Sequence, residues 1–116
     1  MLTLSRPQKL TITVRGALLH FRAPSPADIL ISRSAADGFV KGVPDGEKTS
    51  IWRAAVAEAL MGRCLESWEG IGDAEGNPIP PTRDAICALL SFADVFDAVE
   101  KQIVLPIFTR YAEKNG

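Results

Sequence analysis

Residues 9–22 read KLTITVRGALLHFR, and they decide the fold class. From Lys9 to Val14 polar and apolar residues alternate. Leu10, Ile12 and Val14 point one way, and Lys9, Thr11 and Thr13 the other. Successive side chains of a strand face opposite sides, so this pattern predicts a half-buried β-strand. Arg15 and Gly16 supply a tight turn, with Gly16 free to take a positive φ. Ala17 to Arg22 is the return strand, with Leu19 and Phe21 on the face opposite Leu18 and His20. A hairpin alone is marginal in water and must pack on something.

The remaining chain supplies helices for it to pack on. Ala23-Pro24-Ser25-Pro26 ends the strand. Ser25, Pro26 and Asp28 then open a helix with a cap, a first-turn proline and a first-turn acid. This helix is expected over 26–36, stopping near Gly38, and residues 38–47 (GFVKGVPDGE) read as a loop. Thr49 or Ser50 caps a second helix over 51–67. Its apolar residues Trp52, Val56, Leu60 and Met61 spread around the circumference with alanines between them, as in a helix central to a fold. Thr82 caps a short helix over 83–90, and Ser91 is expected to cap a last one over 92–113. The expectation is an α+β single domain covering 1–116: an N-terminal β-hairpin at about residues 9–22, packed on about four helices.

The last helix changes character along its length. Phe92, Val95, Phe96, Val99 and Ile103 form one apolar face, with Asp94, Asp97, Glu100 and Lys101 outside it. Beyond Ile103, the residues Val104, Leu105, Phe108 and Tyr111 fall on what was the polar side. Pro106 removes a hydrogen bond between the two patterns and is expected to kink the helix. This second apolar face packs on the body, awaits a partner or joins two copies.

Composition narrows the function. The 116 residues carry 13 basic and 14 acidic side chains, a net charge of −1, which offers no electrostatic footing for nucleic acid or an anionic membrane. An apolar fraction of 47% is ordinary for a globular chain. The N-terminus MLTLSRPQKL lacks the apolar core of a signal peptide, and no apolar run is long enough to span a bilayer. Cys64 and Cys87 sit among apolar residues of helices and read as small buried hydrophobes in a reducing cytosol.

Between the second and third helices lies SWEGIGDAEGNPIPPT, residues 67–82. Its acids and glycines suggest a calcium loop. Counting from Asp73, however, the position that needs glycine is Pro78, and the EF-hand spacing fails. Glu69, Asp73 and Glu75 have no nucleophile or base at catalytic spacing, and the single histidine, His20, reads as a surface strand residue. No catalytic residue, metal ligand or cofactor is therefore expected. As a connector the stretch uses nearly every residue. Gly76 turns it, Asn77 to Pro81 is held extended by its prolines, Thr82 launches a helix, and Trp68 closes its start.

The pattern Trp68-x-Gly70-Ile71-x-Asp73-x-x-Gly76-x-Pro78-Ile79-Pro80-x-Thr82, flanked by helices, resembles the central signature of tail assembly chaperones from long-tailed bacteriophages. The N-terminal run Lys9-Leu10-Thr11-Ile12, Phe21-Arg22-x-Pro24 and Pro26-Ala27-Asp28 is similar to theirs as well. The resemblance covers the organisation of most of the chain, and the motif itself about 15 residues. It implies a non-enzymatic protein of the bacterial host cytoplasm, encoded by a phage, a prophage or a gene-transfer particle. Such a protein binds the tape-measure protein, keeps it soluble and helps recruit tail-tube subunits. The face of Val104, Leu105, Phe108 and Tyr111 is the candidate partner surface, with homo-oligomer contact or core packing as its other uses. The rival is a structural tail or head–tail connector subunit of the virion.

Overall fold

The computed structural model describes residues 1–4 and 8–107. Its fold class is α+β, as the sequence predicts. Strand β1 spans Lys9–Val14 and β2 spans Ala17–Arg22, paired antiparallel with Ile12 opposite Leu19 and Leu10 opposite Phe21. The turn between them has Arg15 at φ 51° and Gly16 at φ 78°. Two consecutive left-handed residues match the right-handed twist of the strands. Ile12, Leu19 and Phe21 are buried on one face, and Lys9, Thr11 and Thr13 are exposed.

Helix α1 runs over Pro26–Phe39, beyond the expected end at Ala36, because Gly38 is accommodated in its last turn and Val40 closes it onto Ala36 and Gly38. Its start is a capping box: Ser25 Oγ accepts from the Asp28 amide at 3.1 Å, and the Asp28 carboxylate accepts from the Ser25 amide at 2.8 Å. Helix α2 spans Asp45–Cys64 and so begins before Ile51. Extended Pro44 stands at its N-cap, and Asp45 and Glu47 in the first turn complement the helix dipole, so neither Thr49 nor Ser50 is needed as a cap.

The second helix also ends early. Residues 65–67, expected to be helical, belong with Trp68 and Glu69 to strand β3, Leu65–Glu69, which pairs antiparallel with β2. The sheet order is β1-β2-β3. His20 faces Ser67 while Phe21 faces Leu65, so Glu66 is an extra residue bulged out of the ladder. The bulge puts Leu65 and Trp68 on the core side and Glu66, Ser67 and Glu69 outside.

Helix α3 spans Arg83–Leu90, as expected, with Thr82 Oγ1 accepting from the Ala85 amide at 3.2 Å. Ser91 closes α3 instead of opening the next helix: its Oγ donates to the Ala88 carbonyl at 2.5 Å, and Phe92 stands at the N-cap of α4, Ala93–Val99. Next comes a π-helical segment, Glu100–Val104, in which the Leu105 amide donates to the Glu100 carbonyl. The wider turn comes just before Pro106, whose ring would crowd an α-helical carbonyl and whose nitrogen has no hydrogen to donate. Residues 108–113 of the expected last helix lie outside the described residues.

One core holds these pieces together. Ile12, Leu19 and Phe21 of the sheet meet Val56, Ala57, Leu60, Met61 and Cys64 of α2, Ile86 of α3, and Val99, Ile103, Val104 and Ile107. Helix α1 lies along α2, where an ion cluster locks it in place. Asp28 is 1% exposed and accepts from Arg22 at 2.5 and 2.9 Å and from Arg63 Nε at 2.9 Å. Arg22 also donates to the Arg63 carbonyl at 2.9 Å, so β2, α1 and α2 share one knot.

Candidate partner-binding groove

The proline-rich loop is built as a braced connector. Trp68 Nε1 donates to the Ile79 carbonyl at 2.7 Å, joining the loop's start to its far side. Between them the chain doubles back, with Gly72 bridged to Pro78 and the Ile79 amide donating to the Ile71 carbonyl at 3.3 Å. Asp73 governs the tip. Its Oδ1 accepts from the amides of Glu75 at 3.0 Å and Asn77 at 2.9 Å, and Gly76 turns the chain at φ 84°. These amides hold the Asp73 carboxyl below its ordinary pKa. A Cβ on Gly72 would come within 2.8 Å of the Asn77 carbonyl oxygen, so the doubled chain tolerates no side chain there. Gly70, at φ 79°, passes close to the backbone of Ala17. Pro78 and Pro80 are exposed, and Thr82 passes the chain to α3.

The expected partner residues at the C-terminal end do not form one exposed face in the described chain. Val104 is fully buried in the core, and Leu105 is 37% exposed. Phe108 and Tyr111 lie outside the described residues. The π-helical segment explains Val104. It adds one residue to the turn, so Val104 falls beneath Val99 instead of rotating to the polar side.

A different apolar surface is open. Over α2, between α1 and α3, runs a groove of about 630 Å³. Its floor is Ile51, Ala54, Ala55, Ala59 and Gly62 of α2. Ala35 and Phe39 of α1 form one wall, and Pro81, Arg83 and Ile86 the other. Phe39 is 69% exposed, and Ile31, two turns ahead on the same stripe of α1, is 49% exposed. Arg63 and Arg83 supply two cations to the groove, and Glu58 one carboxylate. Glu58 holds the Cys87 thiol above its ordinary pKa. Cys87 is exposed, contrary to its expected burial, whereas Cys64 is buried and its thiol is pushed up to about 11 by desolvation.

Sequence reading missed this groove because alanines on α2 look like filler between larger core residues. The stripe Ile31, Ala35 and Phe39, spaced at four residues, was the available signal. Elsewhere, His20 lies on the outer face of the sheet, with Nδ1 at 3.1 Å from Thr11 Oγ1 and Nε2 at 2.6 Å from Glu69 Oε2. Among the described residues no three His, Cys, Asp or Glu side chains converge as a metal site would need. No helix among them is long and apolar enough to cross a membrane. Comparison with protein-family models, curated proteins and solved structures finds no match.

Proposed function

We propose that this chain is a phage tail assembly chaperone, acting without catalysis in the cytoplasm of a bacterial host. It holds an apolar helical stretch of a tape-measure protein in solution and helps bring tail-tube subunits to it. The observation that carries this reading is the open groove over α2, with Phe39 exposed on its rim. An exposed apolar groove between helices is how one protein takes up the apolar face of another's helix, reversibly and with no nucleotide cycle. The Trp68–Thr82 resemblance points to the same role. That loop contributes directly, because the strap ends at Pro81 in the groove wall. Co-expression with a tape-measure protein tests it. The chaperone keeps the tape measure soluble and co-purifies with it. A tape measure that stays insoluble, with no complex recovered, refutes the proposal.

A structural virion subunit is the second reading. Met1, Leu2 and Leu4 are at least 89% exposed, as expected of an arm that reaches a neighbouring subunit. Mass spectrometry of purified particles separates the two: a chaperone is absent from the finished tail, and a structural subunit is abundant there.

A further inference from the structure

We propose that β1 pairs with β1 of a second copy of this chain, antiparallel about Thr11, and joins two three-stranded sheets into one. The inference does not depend on what the groove over α2 holds. It starts from the hydrogen bonds of the hairpin. The Ala23 amide donates to the Gln8 carbonyl at 2.7 Å, which places residues 8, 10, 12 and 14 in the pairs bonded to β2. Lys9, Thr11 and Thr13 therefore aim their N–H and C=O groups away from β2. Since β1 is an edge of the sheet, these groups lie along a free border. Among the described residues no backbone hydrogen bond from outside the sheet reaches them, and all three residues are exposed.

The two edges of the sheet are defended differently. Strand β3 is short, bulged at Glu66, and carries the carboxylates of Glu66 and Glu69. Short length, a bulge and charge are the features that keep another strand from adding to an edge. Strand β1 is in unbroken register from Lys9 to Val14, has no proline, and carries its one charge, Lys9, at its very end. Its own sequence fits its own border. Antiparallel pairing centred on Thr11 sets Thr11 against Thr11, Lys9 against Thr13 and Leu10 against Ile12. Every outward donor then meets an outward acceptor, and no two lysines oppose each other. Leu10 and Val14, only partly buried in one copy, stay on the inner face beside their counterparts. The N-terminal arm favours a second copy over a foreign strand. The arm precedes β1, so in this pairing it heads past the hairpin turn of the other copy. At that turn Arg15 lies over the Phe92 ring, 4.8 Å from its centre, and Phe92 is 47% exposed. Leu2 and Leu4 of the arm are 89% and 91% exposed. The pairing brings these open apolar groups to the same end of the dimer.

The test is the oligomeric state of the full chain, read by sedimentation equilibrium at about 100 μM. The expected mass is twice the 12.5 kDa of one chain. Thr11→Pro removes the central outward N–H and spares the bonds to β2, since proline is tolerated at an edge whose N–H faces out. It is expected to weaken the dimer at least about hundredfold. Thr11→Lys and Thr11→Glu leave the backbone intact and set like charges against each other at the centre of the pairing. Each alone is expected to sediment as a folded monomer, with folding checked by thermal melting, and an equimolar mixture of the two to return to dimers. That rescue is specific to two copies meeting at Thr11. A folded parent chain that stays monomeric overturns the inference, whether or not it takes up an unrelated strand peptide. So does a dimer that both charged variants leave intact, or a mixture of them that stays monomeric.

Discussion

Asp28 sits between the guanidinium groups of Arg22 and Arg63 and accepts as well from the amide and hydroxyl of Ser25. These donors, Arg22 foremost, hold its carboxyl far below the ordinary carboxylate range despite burial, which opposes the charge. Asp28→Asn keeps the shape but leaves two cations facing a neutral group. It is expected to cost about 3 kcal/mol in urea unfolding, since breaking a buried pair is expensive even where replacing it whole is not. The pH dependence follows from the sign of the shift. The contribution of Asp28 is complete above the unfolded pKa of about 3.9 and is lost as pH falls below that toward the folded value. The stability of Asp28→Asn is therefore expected to fall less steeply than the parent's below about pH 5. Ser32 is the converse case. Its hydroxyl is buried and, among the described residues, makes no hydrogen bond. Ser32→Ala is expected to add about 1 kcal/mol to unfolding stability, because an unsatisfied polar group leaves the interior.

At the scale of elements, the hairpin, the Ser25 cap and helix α3 were legible because each obeys a local rule: strict alternation, capping chemistry, and a threonine before a short apolar run. Strand β3 was not. The bulge at Glu66 spaces Leu65 and Trp68 three apart on the core side, which imitates a helical period, and the free edge of β2 decides the matter instead. The core face of the last helix was legible through Ile103, which is buried as expected, whereas Phe92, expected on the same face, is exposed. Beyond Ile103, a reading at a constant 100° per residue cannot see the extra residue of the π-helical turn. Removing that residue is a direct test. Deletion of exposed Lys101 would misdirect every later side chain of a regular helix. Here it restores four-residue spacing between Val99 and Val104. The deletion is expected to cost about 3 kcal/mol, because the α-helical turn it restores meets the Pro106 ring, and an inserted alanine at the same place costs more, because it turns Val104 and Ile107 out of the core. The calorimetric midpoint distinguishes the two. On α2, Gly62→Ala is expected to raise stability by about 1 kcal/mol, since the added methyl meets open space within a helix.

The whole molecule divides its surfaces between two tasks. One side of α2 closes the core against the sheet, and the other lies open between α1 and α3. The Asp28 knot sets how α1 stands against α2, so it also sets the width of the groove. The braced loop from Trp68 to Thr82 fixes Pro81 and Arg83 on the opposite wall. The sequence pointed to the loop as the mark of a family and placed binding at the C-terminal end. The folded chain buries Val104 and leaves an apolar opening over α2, which in the sequence only the spacing of Ile31, Ala35 and Phe39 signals. Amide hydrogen exchange on the full chain, with and without a bound tape-measure protein, tests this placement most directly. Added protection is predicted at residues 35–39, along α2 from Ile51 to Gly62 and in the first turn of α3, with residues 105–107 and the hairpin unchanged. Protection at residues 105–107 or along β1, with α2 unaffected, would contradict it.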